Sequence, residues 1–285
     1  MDSHAPDAAT VAAPPAPLPT DRLVYVYAFV DAARLGDLAR LTDTGPALSL
    51  HRVGTIGAIV HQVPAAEFSG IDGERNLADP AWLMPRICRH EALVESAMQC
   101  SPVFPTGFAT LYVSLDSLTG LMRRHEATIA DFLRQVTGQQ EWSLRLTAEL
   151  GDPATLADLA AELWPGWSAC PPGLRYLRLR QGRPALLQAA RERAARQMPG
   201  IVDRLRDLVT AIRPLVPAAA RAAGEQYVET YALLVPVGQQ AALRARVTEL
   251  AAEPAPLHPG AALSGPWPPY SFRPLLDGKE ERQDT

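Results

Sequence analysis

Two histidine–glutamate pairs, His90-Glu91 and His125-Glu126, have the residue types that metal-dependent hydrolysis uses. A zinc-binding helix of that kind needs a second histidine four residues after the first, so that both imidazoles face the ion. Those positions hold Val94 and Ile129, so the spacing fails twice. His125 falls on an apolar stripe, where packing or capping accounts for it. His51 and His61 have no cysteine or carboxylate at ligand spacing. The chain lacks the G-x-S-x-G turn that presents a nucleophilic serine. It also lacks the G-x-x-x-x-G-K-[ST] loop that cradles phosphates. Gly54-Thr55-Ile56-Gly57 is not a dinucleotide fingerprint and lies where a hairpin turn needs glycine. Arg191, Arg193, Arg196, Arg204 and Arg206 alternate with Glu192, Asp203 and Asp207, and Glu192–Arg196 is a favourable i,i+4 pair. That reads as a solvated helix face. The residues thus give no catalytic constellation, no metal ligand set and no cofactor site.

The elements that would have to position any site are well signalled. The 285 residues suit one large or two medium domains, and 47% apolar with 20% charged residues is an ordinary globular balance. A net charge of -4 argues against nucleic acid as the main partner. No apolar run approaches the ~20 residues of a membrane span, and the first residues lack the basic-then-apolar order of a secretion signal. Cys88, Cys100 and Cys170 form no C-x-x-C pair and read as reduced, buried thiols of a cytosolic protein. Residues 1–21 are an Ala/Pro-rich segment expected to be disordered, and residues 275–285 are a polar tail.

Between these ends, Leu23–Val30 (LVYVYAFV) is apolar at nearly every position, as a strand covered on both faces should be. A helix is expected over Ala32–Leu41. A hairpin follows, with strands around Leu48–Val53 and Ile56–Gln62 joined at Gly54. Asp79-Pro80 reads as an N-cap with proline at the first helical position, and Pro85 as a kink or a second start. Ser101–Val113 is an extended segment. Ser114 caps a helix whose stripe is Leu118, Leu121, His125, Ile129, Phe132 and Val136, ended by Gly138. Glu141–Leu150 alternates as a half-buried strand. A helix over Ala154–Leu163, a charged helix over Pro184–Leu215 broken at Pro199-Gly200, a strand over Tyr227–Val237 and a helix over Gln239–Ala251 follow. The last candidate strand is GPWPPYSF, Gly265–Phe272. This order predicts an α+β fold, with helices on one face of an antiparallel sheet in the second half. It is similar to a ferredoxin-like module short of one strand.

GPWPPYSF is unusual for a segment so near a chain end, where residues are normally polar and frayed. Its prolines stiffen it before it docks. With Tyr25-Val26-Tyr27, GAIVHQVP, RHEALVE, SPVFPTGFATLY and QQEWSLRL, it forms an ordered set of segments over Leu23–Phe272. That set resembles the gas vesicle protein GvpL/GvpF family. The family pattern carries Leu-Arg-Phe-Gly-Thr after a proline. Here Pro105 is followed by Thr106-Gly107-Phe108-Ala109-Thr110, so Gly107 replaces the arginine and Ala109 the glycine. The resemblance implies two α+β domains, residues 22–138 and 139–274, the second ferredoxin-like. It implies a non-enzymatic accessory protein without a cofactor, at gas vesicles assembled in the cytoplasm. Its partners would be the small apolar shell protein or other accessory proteins. Trp267, Tyr270 and Phe272 are the candidate protein-binding residues, either latching the chain end or contacting the shell protein. A rival reading is a small-molecule-binding protein or enzyme with a pocket on a ferredoxin-like module, lined by His61, His90 or Tyr112.

Overall fold

In the computed structural model, residues 21–35, 47–215, 225–253 and 260–276 are described. The fold is α+β, with two antiparallel sheets. The segments expected at 1–20 and over most of 32–41 lie outside the described residues.

Strand β1 (Arg22–Asp31) is buried from Val24 to Val30 because it lies inside the first sheet and both its faces are covered. Its neighbours are β3 (Ile56–Pro64) on one side, with β4 (Val103–Pro105) and β5 (Leu111–Tyr112) on the other. Strand β2 (Ser49–Val53) closes the far edge through the expected hairpin, in which Gly54 takes φ 57°. The β1–β3 register shifts between Val26 and Ala28. The extra residue changes which side chains share a face. Val24, Val26 and Phe29 face one core, while Tyr25, Tyr27, Ala28 and Val30 face another.

Helices α1 (Gly70–Ala78) and α2 (Pro80–Met98) lie on the tyrosine side. Sequence reading leaves α1 unassigned. Asp79 caps α2 as expected, accepting from Ala81 N at 2.9 Å, and the helix runs unbroken past Pro85. On the other face, Ser114 caps α3 (Leu115–Arg124) by accepting from Ser117 N at 3.1 Å. The single helix expected here is two. His125 leaves the helical region at ψ 17°, and α4 (Glu126–Gln135) begins after it. The break brings the Glu126 carboxylate over Gly54, where an added Cβ would meet it at 2.5 Å.

The second sheet has the order β7-β8-β6-β9. Its strands are β6 (Gln139–Glu149), β7 (Ala211–Leu215), β8 (Gln226–Pro236) and β9 (Gly260–Trp267). Helices α5 (Pro153–Leu163), α6 (Pro172–Asp203) and α7 (Gln240–Ala252) share a core with Trp142, Leu144, Leu146, Leu233 and Val235. Two expectations fail. The charged helix starts twelve residues earlier than Pro184 and passes Pro199 without a break. Its buried side chains, Leu186, Ala190, Ala194, Met198 and Val202, recur every fourth residue, while Pro199 faces solvent. It also ends at Asp203 rather than Leu215. The residues beyond form β7, an edge strand, where Pro214 costs no shared ladder bond. The thiols are not buried as expected: Cys88 and Cys100 are exposed and Cys170 is half-buried.

The halves meet through β8. Leu233 and Val235 face α5–α7, while Ala232 and Leu234 alternate to the opposite face. There they join Val24, Phe29, Phe104, Phe132 and Phe272 in one continuous core.

Ala109, between β4 and β5, takes φ 60°, a left-handed conformation that costs a non-glycine residue about 1–2 kcal/mol. It holds the position where the resembled pattern carries glycine. Ala109→Gly should therefore stabilise the fold by up to about 1 kcal/mol, after allowing for the greater freedom of glycine in the unfolded chain. Thermal unfolding should show a rise in Tm of about 2 °C; a fall would contradict the assigned conformation.

Candidate functional site

The closing segment sits where the two sheets meet. Strand β9 pairs with β6 up to Trp267 opposite Glu141. Gly265 lies against the β6 backbone and the Trp142 indole; an added Cβ would stand 3.1 Å from the Glu141 carbonyl oxygen and 3.2 Å from the ring. The expected last strand is thus correct only for Gly265–Trp267. Tyr270–Phe272 form one tight 3-10 turn.

That turn is held from both halves of the chain. Ser271 Oγ donates to Glu141 Oε1 at 2.6 Å, and Ser271 N donates to Glu141 Oε2 at 2.9 Å. Glu141 is 6% exposed, and burial pushes its pKa up while the Ser271 donors and Arg213 pull it down. Arg213 of β7 donates to the Ser271 carbonyl at 2.8 Å and lies over the Phe272 ring. From the first half, Glu91 of α2 accepts from Tyr270 Oη at 3.2 Å, and the Pro105 carbonyl accepts from Arg273 at 3.4 Å.

The three candidate binding residues therefore occupy different environments. Phe272 is 5% exposed within the shared core. Tyr270 is half-buried and tied to Glu91. Trp267 is 42% exposed, and its indole N–H reaches only Ser264 Oγ, at 3.4 Å.

A second polar cluster fixes the broken strand β4–β5 against β1. The His90 Nε2–H donates to the Thr106 carbonyl at 3.1 Å. Its Nδ1 is then an acceptor, for Tyr25 Oη at 2.9 Å, and Tyr25 Oη accepts from Ala109 N at 3.0 Å. Thr106 Oγ1 bonds the carbonyls of Val26 and Tyr27 at 2.7 and 2.9 Å. His61 stacks on Tyr27, with Nδ1 3.0 Å from Tyr27 Oη. Both nitrogens of His90 are occupied, and burial pushes its pKa down to about 4, so it is a neutral structural imidazole. Tyr112 packs with the opposite, shared core, so the three residues of the rival pocket do not converge. Three clefts of about 390, 310 and 200 Å³ are lined by other residues. Among the described residues no group of three or more His, Cys, Asp or Glu could hold a metal ion.

Sequence reading found the aromatic segment but not Glu141 or Arg213. Glu141 stands at an irregular point of β6, and nothing in the order of residues shows that a serine 130 positions later meets it.

The sequence pattern of the family described as gas vesicle synthesis protein GvpL/GvpF matches residues 23–274, from β1 to just beyond the Ser271 turn. The chain belongs to this family. It is 24% identical over 272 residues to gas vesicle protein L of Streptomyces sp. (strain CB03234), covering 90% of this chain and 95% of that one. Its fold is similar to the crystal structure of gas vesicle protein GvpF from Anabaena sp. PCC7120, with a TM-score of 0.62 and 13% identity over 89% of this chain and 97% of that one. GvpF from Microcystis aeruginosa gives a TM-score of 0.58 and 16% identity over 90% and 100%. The resemblance carried by GPWPPYSF and its companion segments is thus borne out. In this GvpL/GvpF chain, no helix among the described residues is long and apolar enough to cross a membrane.

The His90 cluster makes stability pH-dependent. The unfolded imidazole takes up its proton near pH 6.5, the folded one only near 4, so stability is full above 6.5 and falls as pH drops toward 4. The loss is about 3 kcal/mol. The raised carboxyls of Glu91 and Glu141 act in the opposite sense. Denaturant titrations of wild type and His90→Gln should therefore converge as pH falls from 6.5 to 4. Parallel curves would contradict the buried neutral histidine.

Proposed function

We propose that the protein is a non-enzymatic accessory factor of gas vesicle assembly. In this reading it binds the small apolar shell protein, or another accessory protein, while the vesicle wall nucleates or grows. It acts at gas vesicles as they are assembled in the cytoplasm. The chain divides into two α+β units, residues 22–138 and 139–274, the second ferredoxin-like. The strand order β7-β8-β6-β9 supports that reading, with helices joining β6 to β7 and β8 to β9.

The observation that carries the proposal is the position of Trp267. It stands half-exposed at the end of an edge strand, and both sides of the fold anchor the turn that follows it. A shell subunit exposes apolar surface until it polymerises, and such surface aggregates. A large ring already fixed in place binds it at little entropic cost. Among the described residues β9 pairs with β6 alone, so its outer edge offers backbone groups beside the ring for strand addition. Tyr270 and Phe272 support the contact by holding the turn.

Co-expression with the small shell protein tests this. Wild type should keep shell protein soluble and co-purify with it. Trp267→Ser should reduce retention at least tenfold with an unchanged melting curve. Phe272→Ala should lower stability by about 3–5 kcal/mol, marking the loss expected of a purely structural residue. Unchanged retention by a folded Trp267→Ser, or loss only with unfolding, would overturn the assignment.

A further inference from the structure

Helix α6 begins with two turns that the core does not use. Leu174, Tyr176 and Leu177 are 44%, 64% and 51% exposed, whereas Leu179 packs against the α5–α7 core. With Leu174 as position a of a heptad, Leu177 is d, Arg178 is e, Leu179 is f and Arg180 is g. The f position faces the protein's own core, so a and d face away from it, with an arginine on each flank. From Pro172 to Arg191 the helix carries five arginines and no carboxylate, although the chain as a whole has net charge -4. Arg175 is engaged by the Ser168 carbonyl at 2.6 Å, and Arg183 pairs with Glu225. Arg178 reaches only the Cys170 sulfur, at 3.3 Å, and Arg180 has no hydrogen-bond or ion-pair partner among the described residues.

We infer that this face docks one acidic amphipathic helix of a partner protein, with apolar residues at its own a and d positions and glutamate or aspartate beside them. An a/d seam flanked by one sign of charge selects the opposite sign at the facing e and g positions. The face is also too narrow for lipid. Beyond Leu177 the outward positions are Gln181, Pro184 and Gln188, so two turns present apolar side chains, the footprint of a short helical contact rather than of an interfacial anchor.

Arg183 pairs with Glu225, whose carbonyl accepts from Leu150 N at 2.6 Å, at the end of β6 remote from Glu141. Trp267 lies opposite Glu141. The nine residue steps from Glu141 to Leu150 span about 30 Å of strand. The two surfaces thus sit toward opposite ends of one sheet, as suits a protein that bridges two partners. This contact stands independently of shell binding at Trp267.

The test uses the full chain and a fluorescein-labelled 21-residue helical peptide with Leu at a and d and Glu at e and g. Controls are the same peptide with Lys at e and g, and vesicles of phosphatidylserine and phosphatidylcholine. Anisotropy should show saturable binding of the acidic peptide, at least tenfold tighter than the lysine peptide and weakened at least tenfold in 0.5 M salt. Arg178→Glu with Arg180→Glu should invert the preference, and Leu174→Ser with Leu177→Ser should abolish binding. All four residues are solvent-facing or weakly engaged, so circular dichroism should stay unchanged. Equal binding of both peptides, binding unaffected by charge reversal, or binding of vesicles but not of peptide would overturn the proposal.

Discussion

The second sheet must bury both of its faces. One is covered by α5–α7; the other has only the first half of the chain to lie against. The turn that reaches across to that half is seated on its own sheet by one carboxylate, Glu141, whose two oxygens take the hydroxyl and the amide of Ser271. A buried carboxylate left without those donors would be costly, and so would the Ser271 amide left without its acceptor. The pair therefore specifies one position for the closing turn. From it follow the insertion of Phe272 into the shared core, the approach of Tyr270 to Glu91, and the exposure of Trp267 at the rim.

A parallel constraint acts in the first sheet. Strand β1 needs partners on both sides, but the sequence after α2 supplies a strand interrupted by Thr106–Thr110. The gap keeps only two backbone bonds to β1, from Thr106 N to the Tyr27 carbonyl at 3.1 Å and from Val26 N to the Thr110 carbonyl at 3.0 Å, and side chains fill the rest. Thr106 bonds back to β1, His90 bonds Thr106, and Tyr25 holds the Ala109 amide. The histidine that first suggested metal chemistry is thus used up as a structural bridge. The aromatic ring system around it, with Tyr25, Tyr27 and His61, fills one face of the sheet and leaves no imidazole of His90 for catalysis.

Much of this was legible in the sequence because local signals are strong there. The continuous apolar run of β1, the glycine of the β2–β3 hairpin, the caps at Asp79 and Ser114 and the alternation of β6 each follow from short-range physics. What was missed depends on distant contacts. Pro199 reads as a helix breaker until the fourfold spacing from Leu186 to Val202 is seen to be buried. Pro214 hides β7 until its place at a sheet edge is known. His125 divides two helices although its spacing fits one continuous stripe. The aromatic segment was recognisable as a unit, yet the different environments of Trp267, Tyr270 and Phe272 are set by Glu141, Arg213 and Glu91 from three other elements. Family membership came from the order of segments, which survives substitutions such as Gly107 and Ala109 that alter a single motif.

The closing turn, seated by Glu141–Ser271 and inserted into the shared core, makes the two sheets one cooperative body, and native-state hydrogen exchange reads this directly. Amides of β1 and β6 should open with the same free energy in the wild type. Glu141→Gln should lower both by an equal amount, about 1–3 kcal/mol. Exchange accelerated only in β6–β9, with β1 keeping its protection, would contradict this and show that the halves are independent.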